Sequence, residues 1–137
     1  MSYSAAPKQA TRYREMQVMA ASPGELIVMV YDHLLSQLHR AQALQGASNL
    51  AARSDALEKC RAALCELLVT LDQEKGGALG TQLAAIYSFL LGELTTLGLR
   101  PDTKRYERVI RIVRELREAF AQAAAQTAPA LVTARQA

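Results

Sequence analysis

The sequence predicts an all-α protein built around one bundle of helices. Half of the 137 residues are hydrophobic, but only 5% are aromatic and none is Trp. Leu and Ala supply most of the apolar side chains, and both favour helices. These side chains recur at the three- and four-residue spacing of helices, without convincing strand-like alternation. The length is that of a single domain with one sizeable core.

An N-terminal segment, residues 1–20, precedes the bundle. Its small and scattered basic residues predict a backbone that is irregular or loosely helical. It also carries four apolar side chains that have no evident place in a core: Tyr13, Met16, Val18 and Met19. We therefore expect this segment to form a short helix or a lid over the bundle.

The first predicted helix begins with a capping box. Ser22 is the expected N-cap, Pro23 fits the first helical position, and Glu25 stands three residues after the cap. In this motif the serine side chain accepts from the amide of residue 25, and Glu25 bonds back. The helix should run to about Leu44 and end at Gly46.

Glycines mark the ends of the second and third predicted helices. The second begins somewhere in residues 48–55 and continues to about Gln73, with the glycines at 76–77 as its stop. The third covers residues 78–97. Gly98 follows it as the expected left-handed residue after the helix end.

The fourth predicted helix begins after a reset of the chain at Pro101, with Asp102 as its N-cap. It should end near Ala125. Short connections favour antiparallel neighbours, so the four helices predict an up-down-up-down four-helix bundle. The bundle then occupies residues 21–126, and residues 127–137 form a flexible tail.

Several large apolar residues fall outside the stripes that would face a single core. On a helical projection, Leu26 and Met29 lie off the stripe of the first predicted helix, and Phe89 lies off that of the third. Ile112 lies beyond one edge of the fourth. One exposed apolar residue is ordinary, and a bundle helix can bury a wide face. Taken together, however, the four residues predict a protein-binding surface.

The sequence lacks the motifs of catalysis and cofactor binding. No HExxH, P-loop, GxSxG or Gly-rich dinucleotide turn occurs, and His33 and His39 point too far apart on one helix to share a metal. Cys60 and Cys65, five residues apart, are expected to be small core residues rather than a disulfide. We expect no cofactor, no metal site and no enzymatic activity.

No membrane span or signal peptide is expected. The longest uninterrupted apolar run, residues 26–31, falls far short of the roughly 20 residues that a span needs. The N-terminus has no apolar stretch of the signal-peptide type. We therefore expect a cytoplasmic protein without membrane insertion.

The fourth predicted helix is rich in basic residues, with three Glu residues interspersed. A solvated face with internal ion pairs is the simplest interpretation. An acidic protein partner and nucleic acid are the alternatives, although this face lacks the aromatic side chains on which single-stranded bases stack. The basic residues are Lys104, Arg105, Arg108, Arg111, Arg114 and Arg117.

Four stretches together resemble the flagellin export chaperones, the FliS family. ASPGELIVMVYDHLL, residues 21–35, is similar to that family's ASP-x-x-L-x-x-x-L-[YF]-[DE] signature. LDQEKGG at 71–77 resembles the end of its second helix, and LAAIYSFLLGEL at 83–94 its third. LRPDTKRYERVIRIVRELREAF at 99–120 matches the following turn and helix in spacing. The resemblance covers roughly residues 12–120, and the order and spacing of the stretches make it specific.

The resemblance implies a dedicated cytoplasmic chaperone with an antiparallel α bundle. Such proteins bind the C-terminal, polymerisation-prone segment of flagellin, prevent early assembly and aid delivery to the flagellar type III export gate. Departures from the family pattern include His33, Ser88 and a more basic fourth helix. On this interpretation Leu26, Met29, Phe89 and Ile112 would contact the client segment.

The resemblance also implies a role for the N-terminal segment, which in this family can cover part of the binding surface. Tyr13 stands where the family often has a tyrosine, and Val18 belongs to the same apolar cluster. We expect both to take part in partner binding as components of a lid. Three other functions stay open: a homodimeric structural or signalling bundle, a nucleic-acid regulator and, last, an enzyme.

Overall fold

The computed structural model describes the backbone of residues 5–46, 48–71 and 73–136 and the side chains of residues 8–46, 48–71 and 77–126. Within these ranges the chain is all-helical and has no strand, which confirms the predicted fold class. The four predicted helices correspond to the last four of the five helices observed. The five helices are α1 (Ala5–Ala20), α2 (Pro23–Leu44), α3 (Leu50–Thr70), α4 (Gln73–Leu99) and α5 (Thr103–Gln136).

The N-terminal segment is helical from Ala5 to Ala20, as the short-helix alternative predicted. Every side chain described in α1, from Lys8 to Ala20, is exposed. The helix therefore does not rest in a groove of the core as a closed lid would. Residues 1–4 of the predicted segment lie outside the described residues.

Both ends of α2 and the start of α5 lie where the sequence predicts them. The amide of Glu25 donates to Ser22 Oγ over 3.2 Å, and the Ser22 hydroxyl donates to Glu25 Oε1 over 3.1 Å. The return contact thus comes from the hydroxyl rather than from the Ser22 amide. Gly46 ends α2 with a φ of 77°. Asp102 caps α5, because its Oδ1 accepts from the amide of Arg105 over 3.0 Å.

The boundary between α3 and α4 was predicted too late. The second predicted helix was expected to reach about Gln73, but α3 ends at Thr70 and Gln73 already belongs to α4. The Thr70 hydroxyl donates to the carbonyl of Leu67 over 2.7 Å, and a β-branched residue at this place weakens the last turn. Gly77 is non-helical, with φ 50° and ψ −138°, so it interrupts α4, and the long helical part of α4 begins at residue 78, as predicted. It does not end α3, which already ends at Thr70.

Two further helix ends differ from the prediction. Gly98 lies within α4, which ends at Leu99, so Gly98 is not the left-handed residue expected there. The last helix continues to Gln136 rather than ending near Ala125. The Ala-rich stretch 119–125 contains no Gly or Pro, so nothing in it stops a helix.

One hydrophobic core is shared by α2, α3, α4 and α5. Within this core α2 packs on α3 and α5, and α4 also packs on α3 and α5. We call these four elements the core helices. Three tyrosines and a set of leucines supply the largest fully buried side chains, together with two valines of α5. They are Tyr31, Tyr87, Tyr106, Leu34, Leu38, Leu64, Leu67, Leu90, Leu94, Leu97, Val109 and Val113.

Residues early in α2 contact residues late in α5, and the end of α2 contacts the start of α5, so the order of the contacts is reversed between the two helices. Near the start of α2, the rings of Tyr31 and Phe120 are 5.4 Å apart. At the opposite end of α2, the side chain of Gln45 bonds to the Asp102 amide over 3.1 Å and to the Thr103 hydroxyl over 2.9 Å. The first turns of α2 therefore lie beside residues near 120 of α5, and Gln45, the C-cap of α2, lies beside the start of α5.

Candidate functional site

Large apolar side chains are exposed along the N-terminal helix. Tyr13 is 65% exposed and Val18 is 47% exposed, and Met16 and Met19 are exposed as well. All four belong to the apolar cluster that the sequence analysis singled out. The structure leaves all four exposed. Tyr13, Met16 and Met19 lie on one side of α1, and Val18 lies on the opposite side.

The beginning of α2 and the later turns of α5 form a shallow apolar groove of about 320 Å³. The groove is shallow because alanine side chains line its α5 side and because α2 and α5 approach each other closely. A Cβ added to Gly24 would lie 3.2 Å from the Cβ of Ala124, which is tighter than usual. The groove is lined by Glu25, Val28, Ala121, Ala124 and Ala125.

Two of the four predicted client-contact residues are exposed, and two are partly buried. Leu26, in the same turns of α2 as the groove, is 36% exposed, and Phe89 on α4 is 54% exposed. Met29 is partly buried. Ile112 is partly buried and packs against the core cluster. The four side chains lie on three different helices, with Leu26 and Met29 three residues apart on α2.

Sequence reasoning missed other exposed apolar side chains on the core helices. Val69, Leu79 and Leu99 are exposed near helix ends, and Leu50 is exposed at the start of α3. A projection of each helix could have flagged them as off-stripe residues. Cys65 is also exposed, so the expectation that both cysteines lie in the core was wrong for Cys65 and right for Cys60.

Two tyrosine hydroxyls are bonded to each other directly beneath the α2 surface. Tyr31 of α2 and Tyr87 of α4 are fully enclosed, and their hydroxyl oxygens form a hydrogen bond. Burial raises the pKa of both phenols, and the bond to Tyr87 raises the pKa of Tyr31 further. Tyr31 also contacts the Phe120 ring, with the ring planes tilted by 35°. This buried bond joins α2 to α4 within the shared core.

A third buried tyrosine differs from this pair. The hydroxyl of Tyr106 is buried and has no hydrogen-bond partner among the described protein atoms, and the same is true of Arg53 Nε. Burial raises the pKa of Tyr106, and interaction with Cys60 adds to the rise. Burial also raises the pKa of the Cys60 thiol to about 12, so this thiol stays protonated and unreactive near neutral pH.

Ion pairs join two arginines of α5 to neighbouring helices. Arg105 Nη1 donates to both carboxylate oxygens of Glu93, over 2.9 and 2.8 Å, and this pair is largely shielded from solvent. The bonds to Glu93 raise the pKa of Arg105. Arg117 Nε donates to Asp32 Oδ1 over 2.8 Å and links α5 to α2. These arginines serve the packing of the core helices.

No candidate metal site is found in the described ranges. No group of three His, Cys, Asp or Glu side chains there could hold a metal ion. By length and composition alone, residues 77–99 of α4 would suffice to cross a membrane. The same helix buries Leu83, Tyr87, Leu90, Leu94 and Leu97 in the shared core, however, and a core helix meets that criterion equally well.

An all-helical chain with a closely packed core and exposed apolar side chains has the features of a protein-binding domain. Comparison with known proteins makes this class specific. The sequence profile of the family described as flagellar protein FliS matches residues 5–127. This match covers most of the chain, so the chain belongs to the FliS family of flagellar secretion chaperones.

Individual relatives agree with the profile. The flagellar secretion chaperone FliS of Salmonella typhimurium is 35% identical over 109 residues, which are 79% of this chain and 81% of the relative. The protein of the same name from Escherichia coli is 32% identical over 107 residues, 77% of this chain and 79% of the relative. A crystal structure of a bacterial flagellar chaperone, at 17% identity and a TM-score of 0.69, covers 86% of this chain and 96% of that chain. This last likeness concerns the fold alone.

Proposed function

We propose that this chain binds the C-terminal segment of flagellin in the cytoplasm. Binding keeps the segment from polymerising early and aids its delivery to the flagellar type III export gate, where a gate component is a further partner. The observation that carries the proposal is the set of exposed apolar side chains, Leu26 and Phe89 foremost, on a chain of the flagellar secretion chaperone family.

The core helices act in this proposal as a preformed scaffold, an antiparallel up-down-up-down four-helix bundle. The reversed contact order of α2 and α5 supports this arrangement. So do the contacts between α3 and α4, where a Cβ on Gly98 would lie 3.8 Å from Leu57 and Arg61 donates to Thr95 over 3.3 Å. A scaffold that is rigid before binding leaves the ordering cost to the client.

The client surface consists of Leu26, Met29, Phe89 and Ile112. A client segment that is disordered alone and orders on the scaffold buries on the order of 1,000–3,000 Å². At about 25 cal/mol per Å² of apolar area the gross gain is large, and ordering the client offsets much of it. Because the four residues lie on three helices, the client must wrap around the bundle rather than occupy a single groove.

The N-terminal helix is proposed as a lid that carries Tyr13 and Val18. Both side chains are exposed on α1, so α1 must move for them to reach the core helices. Deleting residues 1–19 tests this role. A competing lid predicts tighter binding of a flagellin C-terminal peptide after the deletion. Unchanged affinity, with helix content of the core retained, would argue against it.

Chaperoning of this kind needs no chemical step. The energy comes from burial of apolar surface, so the proposal includes no catalysis, no cofactor, no metal, no nucleic acid and no insertion into a membrane. The exposed side chains also leave a homodimeric bundle as the alternative. Light scattering separates the two, because the chaperone should be mainly monomeric alone and form a defined complex with flagellin.

The main experiment is the substitution Phe89→Asp, with Val69→Asp as the matched control. Both residues are exposed, and Val69 is outside the proposed client surface. Titration calorimetry with a synthetic peptide of the flagellin C-terminal segment should give about tenfold weaker binding or worse for Phe89→Asp. The control should bind as the unchanged chain does.

Thermal unfolding of both variants completes the test. Phe89→Asp should unfold within a few degrees of the unchanged chain, because more than half of the Phe89 side chain is already in solvent. A loss of several kcal/mol of stability would place Phe89 in the core instead. Unchanged peptide affinity in a folded Phe89→Asp protein would remove Phe89 from the client surface.

A further inference from the structure

The solvent-facing side of α5 carries a short row of cations that the chaperone role does not use. Lys104, Arg108 and Arg111 are all exposed. At positions i, i+4 and i+7 they lie within an arc of about 60° on the helix, opposite the buried Val109 and Val113. We call these three residues the basic ridge.

No residue of the basic ridge has an ion-pair partner in the described part of the chain. Arg114 has none there either, but its Nη2 lies 3.5 Å from His39 Nε2. Arg105 is paired with Glu93 and Asp102, and Arg117 is paired with Asp32. Each of these pairs has a structural role between or within helices. The three residues of the basic ridge therefore take no part in the salt bridges of the described core helices.

The net charge of the whole chain is concentrated where the basic ridge lies. Residues 103–120 hold six basic and three acidic residues, which leaves a formal charge of +3. The whole chain holds 16 basic and 13 acidic residues and also has a net charge of +3. The remainder of the chain is therefore balanced, and the excess is local.

The basic ridge also lies near the N-terminal end of α5, where the helix dipole disfavours basic side chains. The N-terminal end of a helix carries a partial positive charge, which favours acidic side chains and disfavours basic ones. The first turn of α5 contains no acidic residue, and it contains Lys104 and Arg105. Arg105 is ion-paired with Glu93 and Asp102, whereas Lys104 has no ion pair in the described structure. Asp102 at the N-cap and Glu107 beside the ridge offset only part of the positive charge, so this end of α5 favours an external anion.

We propose that the basic ridge docks an acidic helical segment of another protein. Lys104 and Arg111 are separated by about 10 Å along the helix axis, the distance between positions i and i+7 of any α-helix. Carboxylates at i, i+4 and i+7 of a partner helix therefore match the three cations. An extended strand offers carboxylates on one face at steps of about 6.7 Å and fits this total length less well.

The same surface argues for protein rather than nucleic acid. Glu107 is exposed and lines the same shallow depression as Lys104, Arg108 and Arg111. A carboxylate there repels a continuous phosphate backbone but tolerates a helix with discrete charges. No aromatic side chain stands on the ridge, so unpaired bases have no stacking platform. The ridge borders the proposed client surface, because Ile112 lies one helical turn after Arg108, but it includes none of the apolar residues assigned to the flagellin client.

The test uses the isotope-labelled full chain and a synthetic alanine-based helical peptide of about 20 residues, with Glu at i, i+4 and i+7. A peptide with Gln at those positions is the neutral control. The ridge variant is Lys104→Gln, Arg108→Gln and Arg111→Gln together. The matched protein control, Lys8→Gln, Arg12→Gln and Arg14→Gln, removes the same charge from exposed residues of α1.

At low ionic strength, the amide resonances of residues 104–111 should shift on addition of the Glu peptide. Affinity should fall about tenfold in the ridge variant and stay within about twofold in the α1 control. Added salt should weaken binding, because the charges are exposed. Circular dichroism should show that both variants keep their helix content.

Four results would overturn the proposal. The first two are equal binding of the Glu and Gln peptides and an equal loss of affinity in the two protein variants. The others are no resonance shift at residues 104–111 at millimolar peptide, and duplex or single-stranded DNA that binds more tightly than the Glu peptide and shifts the same resonances. The last result would make the ridge a nucleic-acid surface. Charge reversal sharpens the test further, since Lys104→Glu, Arg108→Glu and Arg111→Glu together should recover binding to a peptide with Lys in place of Glu.

Discussion

The N-terminal helix α1 and the first core helix α2 differ in how far their side chains are buried. In α1, 16 residues long, every described side chain is exposed, including Tyr13 and Met19. In α2, 22 residues long, a stripe of Tyr31, Leu34, Leu38 and Ala41 is completely buried. Both segments are helical, but only α2 is held by tertiary contacts.

This difference shows which part of the molecule can change its position at low cost. An isolated helix of this length is only marginally stable in water, even when its residues favour helix. Removing α1 from its observed position breaks little packing, whereas removing α2 exposes the shared core. A segment that covers and uncovers a binding surface has to be weakly packed, as α1 is.

Hydrogen exchange should give the largest contrast between the two helices. Amides in residues 12–20 should exchange almost as fast as in an unfolded chain, because opening α1 exposes no buried surface. Amides in residues 31–41 should exchange at least about a thousandfold more slowly, since their opening approaches global unfolding. Mass spectrometry of peptic fragments measures both. Comparable protection in the two segments would mean that α1 is packed on the core in solution.

Truncation of one side chain in each helix tests the same contrast through stability. Leu38→Ala should lower the free energy of unfolding by about 2–5 kcal/mol, because Leu38 is fully enclosed and a cavity remains. Met19→Ala should change it by less than about 0.5 kcal/mol, because Met19 is almost entirely in solvent. Urea unfolding measures both values. A cost above about 1 kcal/mol for Met19→Ala would contradict the exposed position of α1.

Within the core, the buried tyrosines allow a finer comparison. Tyr31→Phe leaves the Tyr87 hydroxyl buried without its partner, so it should cost about 1–3 kcal/mol. Tyr106→Phe removes a hydroxyl that has no protein partner in the described structure, so it should cost less than about 1 kcal/mol. Urea midpoints of the two variants measure the difference. Equal costs would show that Tyr106 has a polar partner as important as the Tyr31–Tyr87 bond.

The sequence was sufficient for the fold class and for most helix boundaries. Leu34, Leu38, Leu90 and Leu94 follow the helical period and are buried, because a single stripe per helix decides which side faces a core. The end of α3 was misplaced because the sequence marks Gly77 as a breaker but gives no comparably strong signal at Thr70, where α3 ends.

The candidate site was predicted less completely than the fold. Leu26 and Phe89 lie off their stripes and are exposed, as expected, but Ile112 packs against the core cluster. Since α5 packs against both α2 and α4, it buries a wider arc than one stripe, and a projection of one helix misses this. The binding roles of these residues, and those of Tyr13, Val18 and Met29, stay predictions until a client is tested.

The smallest expected effect concerns Ser22, at the junction between the two helices compared above. Ser22→Ala removes the acceptor for the Glu25 amide and should cost about 1 kcal/mol of stability. Ser22→Asp keeps a capping oxygen and should restore most of that loss. Ser54→Ala, at an exposed position within α3, should be neutral or slightly stabilising, because alanine favours a helix interior.

The exchange pattern of the Ser22→Ala variant locates the effect. Amides of the first turn of α2 should lose protection, and those of residues 12–20 should not change, because α1 does not depend on the packing of α2. Equal loss of protection on both sides of Ser22 would mean that the cap couples the two helices. The α1 segment would then not move independently of α2, and a lid that opens and closes by itself would be ruled out.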